Sequence, residues 1–208
     1  MKNSNTSSGF TLIELIVVIA IIAILISIAV PNMSDSSKRN AVKAAQRNFL
    51  GALHFARNEA LSRGKFISIC PSVDGLVCEQ ATFNWSRGFL VFIDDGDGTG
   101  TANDGVLNGS EETLLVHQTE RTTNVTIKNV TGTAQESITW NYQGFVADDS
   151  RALVVICDRD NLVKYARGLM LERTGRVMSS QDNGSGLHES KFISADGSGA
   201  VTADLACG

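Results

Sequence analysis

Cysteine is scarce, at 4 of 208 residues, and glycine contributes only 19. Neither a small disulfide-stapled fold nor a collagen-like repeat fits those counts. Charge is sparse too, at 19 %, against 43 % hydrophobic residues, so the chain is not intrinsically disordered. Positive charge is in deficit: 18 Lys+Arg face 22 Asp+Glu, a formal net charge of −4, which excludes a globally basic nucleic-acid binder. The three histidines, His54, His117 and His188, are scattered without metal-ligand spacing. There is no G-x-S-x-G, no phosphate loop and no dinucleotide fingerprint. The carboxylate pair Asp148-Asp149 lies in a turn-like stretch and needs no role beyond solubility. Catalytic residues, metal and cofactors are therefore not expected, and the chain does not read as an enzyme. Its length corresponds to roughly one to one and a half domains. Mean hydropathy is +0.03, so one segment at most can be a membrane span.

One segment has that character. From Phe10 to Val30 only Thr11, Glu14 and Ser27 are polar, and Pro31 ends the apolar run. As a helix this block is about 31 Å long, enough to cross the hydrocarbon core. A polar leader, Met1 to Gly9, precedes it. A secretory signal has its apolar core before the cleavage site. Here cleavage between Gly9 and Phe10 would leave the apolar block on the mature protein. Glu14 is the informative residue, because a carboxylate at the centre of a membrane helix costs about 2.5–3.5 kcal/mol and usually has a partner. The plainer alternative places Glu14 near the membrane surface, reaching for water.

Gly9-Phe10-Thr11-Leu12-Ile13-Glu14-Leu15, followed by the run Val17 to Leu25, resembles the leader and N-terminal helix of type IV pilins. The resemblance implies cleavage after Gly9 by a prepilin peptidase and N-methylation of Phe10. It also implies that Glu14 pairs with a neighbouring subunit's N-terminal amine in a filament, which would neutralise both buried ions.

Asn32 to Arg63 continues the helix, with Val42, Ala45, Phe49, Leu53, Ala56 and Ala60 on one apolar face. Glu59 precedes Arg63 by four residues, a favourable pairing, and Gly64 stands where a C-terminal cap belongs. Residues 32–65 carry a balance of +5 and residues 66–208 a balance of −9. A solvated basic helix face explains this most simply. Electrostatic packing between the helix of one subunit and the acidic head of another is the sharper alternative.

After Gly64 the period changes. Segments starting at Phe66, Gly88, Thr113, Val125, Ser137, Ala152 and Tyr165 read as strands, separated by Gly, Asn, Asp and Ser clusters. Thr174-Gly175 reads as the turn of a last hairpin into Arg176-Val177-Met178. The expected class is α+β: a long N-terminal helix packed on a small antiparallel β head. The expected organisation is a leader (1–9), a transmembrane helix (10–30), an amphipathic continuation (31–64) and a β-rich head (65–208).

His54 to Gly64, and Trp85-Ser86-Arg87-Gly88-Phe89-Leu90-Val91-Phe92-Ile93-Asp94 with its acidic continuation, resemble the GspH pseudopilins and the FimT/FimU minor pilins. That resemblance implies a head of two small β-sheets. It also implies a minor pilin that primes or caps a type IV pilus, or alternatively a GspH-type pseudopilin of type II secretion. Its implied partners are other pilins or pseudopilins, the prepilin peptidase and the inner membrane. Its implied location is the bacterial inner membrane, single-pass, with the head in the periplasm, and then the pilus or pseudopilus.

Four cysteines allow three pairings. In an exported head disulfides persist. The local pairing Cys70–Cys78 leaves Cys157–Cys207, which would fasten the C-terminus. Zinc competes poorly, with no C-x-x-C and no nearby His. Asp94 to Glu112 holds six acids and no base, and Asp95-x-Asp97-x-Thr99-Gly100 imitates the start of a calcium loop. Its twelfth position is Val106 rather than Glu, so a long polar hairpin loop is expected instead. Residues 151–176 carry a local balance of +3. Within them Arg173-Thr174-Gly175-Arg176-Val177-Met178 resembles the Gly-Arg-x-Arg element of DNA-binding FimT-type pilins, with Met178 replacing the second Arg. Arg173 and Arg176 are thus the candidates for phosphate contacts, and DNA is the less favoured partner.

Overall fold

The computed structural model describes residues 10–79, 85–96, 102–109, 111–118, 125–129, 137–147, 152–182, 188–193, 200–204 and 207. One helix, α1, runs from Leu12 to Arg63. Thr11 starts it: its hydroxyl accepts the Glu14 N–H at 3.3 Å, satisfying one of the amides that a helix N-terminus leaves open. Ser27 turns its hydroxyl back onto the Ile24 carbonyl at 2.7 Å, which hides a polar group inside the apolar run. Pro31 closes that run in sequence but does not end the helix. Gly64 does, at φ 66°, with its N–H on the Ala60 carbonyl at 3.0 Å.

The chain divides into two compact units between Lys38 and Arg39. In the first unit the side chains from Phe10 to Ser27 are exposed, Phe10 at 83 % and Leu12 at 76 %. Among the described residues no helix is long and apolar enough to cross a membrane. The described side chains of the expected span reach Ser27; those of residues 28–30, like the leader 1–9, lie outside the described residues.

In the second unit α1 buries Val42, Phe49, Ala52, Leu53, Ala56 and Ala60. Ala45, expected on this face, is only half-buried, and Ala52 completes the stripe instead. This face packs with Ile67, Ile69, Trp85, Phe89, Ile138 and Trp140 into one core. Phe49 meets Trp85 and Phe89 edge-on, each at 5.3 Å between ring centres, the arrangement that ring quadrupoles favour.

Among the described residues three antiparallel sheets follow. The first comprises β1 (Ile67–Pro71), β2 (Gly88–Ile93), β3 (Thr113–Gln118) and β5 (Ile138–Trp140), in the order β3-β2-β1-β5. The second comprises β4 (Val125–Asn129), β6 (Ala152–Asp158), β7 (Arg167–Leu171) and β8 (Val177–Ser179), in the order β4-β6-β7-β8. The third, β9 (Gln181–Asp182), β10 (His188–Ile193) and β11 (Ala200–Asp204), has the order β11-β10-β9. The expected head of two sheets is thus corrected to three among the described residues. The added strands lie in a Ser-, Gly- and Asp-rich stretch whose pairing partners, not its composition, define them. A second correction concerns Tyr165, which belongs to a 3-10 turn, Val163–Tyr165, so β7 starts at Arg167. The Asp158 carboxylate accepts the Leu162 N–H at 2.6 Å and closes the tight turn that delays the strand.

Candidate functional site

Phe10 and Glu14 stand at the exposed start of α1; Gly9 lies outside the described residues. The Thr11-x-x-Glu14 spacing is a capping-box signature that sequence reading missed by treating Glu14 only as a membrane charge. Beyond it, Ile13, Leu15, Ile16, Val17, Val18 and Ile19 are all exposed. A helix that is apolar on every side is stable only when lipid or other apolar helices cover it. Covering that surface is the chemistry this part of the chain presents.

A second arrangement surrounds the hairpin turn between β7 and β8. Glu172 and Arg176 close the turn through the Glu172 N–H and the Arg176 carbonyl at 2.9 Å, and the Gly175 N–H returns to the Glu172 carbonyl at 2.8 Å. Arg57 of α1 ties this turn to the one after β5. Its Nε donates to the Gly144 carbonyl at 3.1 Å and its Nη2 to the Thr174 carbonyl at 3.0 Å. Gly175 has φ 73°, and a Cβ there would fall on the Gly144 carbonyl oxygen and crowd the Arg57 guanidinium. Glycine is thus required by backbone conformation and by close approach together. The structure brings Arg173 and Arg176 to the exposed ends of this pinned turn, while Met178 is half-buried. Arg151, the first base of the stretch, lies outside the described residues. Sequence reading missed Arg57, because nothing local says that a helical arginine will meet two distant carbonyls. Beside the turn is a groove of about 490 Å³, lined by Asn141, Gln143, Phe145, Val146, Ala147, Arg173 and Thr174.

The acidic loop after β2 is organised around carboxylates that accept N–H groups. Asp94, fully buried, accepts the amides of Asn103 at 2.7 Å and Gly105 at 2.9 Å, and the Ser68 hydroxyl at 2.6 Å. Glu111 accepts the amides of Gly96 at 2.9 Å and Asn108 at 2.7 Å. Burial pushes the Glu111 carboxyl above its usual range. The two amides pull the other way, and the charges of Asp94 and Asp104 add to the rise. Lys65 and Arg63 reach the loop at Asp95 (2.6 Å) and Glu112 (3.5 Å). Asp97, Thr99 and Gly100 of the calcium-like stretch lie outside the described residues. Among the described residues no cluster of His, Cys, Asp or Glu could hold a metal ion. Asp94, which sequence reading left as one acid among six, is the residue on which the described part of the loop folds.

Two disulfides complete the head, Cys70–Cys78 and Cys157–Cys207. The first closes a short loop after β1; the second brings the penultimate residue into a small buried cluster with Leu153, Val155 and Ala166.

Comparison with known proteins bears on both units. A family model for the prokaryotic N-terminal methylation motif matches residues 4–30. A protein described as "Fimbrial protein" from Pseudomonas aeruginosa is 46 % identical over 59 residues, 28 % of this chain. The chain matches 38 % of that relative's length. The crystal structure of the type IV minor pilin FimU of Pseudomonas aeruginosa superposes with a TM-score of 0.52 at 22 % identity, over 70 % of this chain and 92 % of that one. The minor pseudopilin EpsH of Vibrio cholerae gives 0.44 at 14 % identity, over 66 % and 94 %. The likeness to FimU is one of fold. The family model described as "Type II transport protein GspH" matches residues 45–175, from the buried half of α1 through the Arg173–Gly175 turn. The chain belongs to the GspH family of type IV pilin-like proteins.

Proposed function

We propose that this protein is a minor pilin that primes or caps a type IV pilus. In this reading residues 1–9 are a leader removed by a prepilin peptidase between Gly9 and Phe10, and Phe10 becomes the methylated N-terminus. Residues 10–30 anchor the chain in the inner membrane with the head in the periplasm, until the helix enters the filament. One observation carries the reading: α1 exposes its apolar side chains all round in one unit and buries a single stripe in the other. Lipid covers the first surface while the chain is anchored in the membrane, and the apolar helices of neighbouring pilins cover it once the helix enters the filament. Glu14 then meets the N-terminal amine of a neighbouring subunit, and the pair offsets a burial cost that neither ion escapes alone. The reading asks for no catalytic centre and no cofactor.

A second reading keeps the architecture and changes the machine. The description of the family as a type II transport protein favours a pseudopilin of a secretion system.

The test is made in the producing bacterium. Mass spectrometry of the mature chain is expected to find a methylated Phe10 at the N-terminus. An intact Met1, or cleavage beyond the apolar block, sinks the reading. Glu14→Ala is expected to keep membrane insertion and to lose incorporation into filaments. Loss of pili or loss of secretion on deletion separates the two machines.

A further inference from the structure

One side chain decides where α1 starts. Phe10 and Thr11 lie outside the helix, which begins at Leu12. The Thr11 carbonyl accepts the Leu15 N–H at 3.2 Å, the bond that opens the helical ladder. The Thr11 hydroxyl accepts the Glu14 N–H at 3.3 Å. The two bonds together make Thr11 the cap residue, half in the helix and half out.

The hydroxyl bond has a consequence upstream. In a helix each carbonyl bonds the N–H four residues on. To lengthen α1 backward by one residue, the Phe10 carbonyl must take the Glu14 N–H. To lengthen it again, the Gly9 carbonyl must take the Ile13 N–H. The Thr11 hydroxyl already holds the Glu14 N–H, so the first of these steps is closed. The sequence does offer an earlier start: Ser8 is a good cap, and a helix begun there would carry Gly9 and Phe10 in its first turn. An amide left open in lipid is costly, so without the hydroxyl the Glu14 N–H would turn to the Phe10 carbonyl, the acceptor that helix geometry offers it.

Hydrolysis of the Gly9–Phe10 bond needs the opposite state. The oxygen of water goes to the Gly9 carbonyl carbon and the bond to the Phe10 nitrogen breaks. Both protons of the water end on that nitrogen, leaving a Gly9 carboxylate and a Phe10 ammonium. A peptidase that grips an extended segment does so through main-chain hydrogen bonds, and a backbone already bonded along a helix has none to give. Phe10, outside the helix and 83 % exposed, is in the accessible state.

We propose that Thr11 is a positioning residue for leader removal: by capping α1 its hydroxyl keeps the Gly9–Phe10 bond out of the helix and open to the peptidase. It touches no reacting atom. The proposal rests on the reading of residues 1–9 as a cleaved leader and adds the residue that presents the bond.

The test follows leader removal from the full-length chain in membranes that contain the peptidase, scored on inserted chains, with residue 11 varied. Valine keeps the shape of threonine and loses the acceptor. Asparagine keeps an acceptor and changes the shape, and serine keeps the hydroxyl without the methyl. Thr11→Val is expected to be cleaved about fivefold more slowly, the effect of one lost cap. Thr11→Ser and Thr11→Asn are expected to be cleaved at the native rate, because rate should follow capping and not shape. Equal rates throughout overturn the proposal. So does slow cleavage of Thr11→Ser or Thr11→Asn, since the peptidase would then be reading the threonine side chain itself. A native chain never cleaved at Gly9 refutes the leader reading and the proposal with it. A native chain cleaved there, with Thr11→Val cleaved as fast, refutes the proposal alone.

Discussion

At the scale of single residues, the two glycines Gly51 and Gly175 behave oppositely for a reason the sequence does not display. Gly175 sits at φ 73° against the Gly144 carbonyl and Arg57, whereas a Cβ at Gly51, exposed in mid-helix, would meet nothing. Gly175→Ala is expected to cost about 2–4 kcal/mol, from the left-handed backbone and the displaced Arg57 bonds. Gly51→Ala is expected to stabilise by about 1 kcal/mol, because alanine is the better helix former. Denaturant unfolding of the full chain with both variants checks the pair; a harmless Gly175→Ala removes the clamp from the account. Glu111 supplies a pH signature. Its folded carboxyl is raised above the ordinary 4.5 by burial, so the folded chain holds the proton longer than the unfolded one. Stability contributed at this position therefore falls as pH rises from about 4.5 through the raised value. Melting temperature followed across that window is expected to decline more steeply in the native chain than in Glu111→Gln. Equal slopes would refute the burial argument.

At the scale of elements, α1 contains two surfaces in one unbroken helix. Its second half buries positions 42, 49, 53, 56 and 60 at three-, four- and seven-residue steps, which is ordinary amphipathic packing against a sheet. Its first half has no such stripe because almost every position is apolar. The disulfides act on other elements and by different amounts. Cys157–Cys207 closes a sequence separation of 50 and Cys70–Cys78 one of 8. In the chain-entropy picture these constrain the unfolded state by about 4 and about 2.5 kcal/mol. The double variant Cys157→Ala/Cys207→Ala is thus expected to lose more stability than Cys70→Ala/Cys78→Ala. It is also expected to make the segment around Cys207 more accessible to proteolysis, since Cys207 is buried beside Val155 and Ala166. The opposite ranking would mean that the short loop, not the tail, supports the fold.

At the scale of the whole molecule, charge decides what the protein attracts. Residues 66–208 carry a balance of −9, and Arg173 and Arg176 are a small local exception on one turn. Long-range attraction to DNA is therefore weak, and two or three phosphate contacts give a shallow dependence on salt. Titration of DNA with the detergent-solubilised full chain at two salt concentrations is expected to show no binding, or weak binding that fades by physiological salt. Tight binding at physiological salt that Arg173→Ala/Arg176→Ala abolishes would instead make DNA capture the primary role. Binding unaffected by that double variant would trace to the basic helix residues between Lys38 and Arg63, which a filament core would cover.

What the sequence determined alone was whatever is local or periodic. Hydrophobic density marked the first half of α1, helical spacing marked the buried stripe, and Gly64 marked the helix end. Runs of β-branched residues placed seven strands to within a few residues. The cysteine spacing made the local pair, and the other pair by remainder. The tertiary structure decided what depends on chain segments meeting. Asp94 became the centre of the acidic loop because Ser68 and the 103–105 amides converge on it. Arg57 became a clamp because two turns far along the chain offer it carbonyls. The third sheet exists because β10 finds β9 and β11. A hydrogen bond needs both partners in place, and only folding puts the carbonyls of residues 144 and 174 within 3.1 Å of the Arg57 guanidinium.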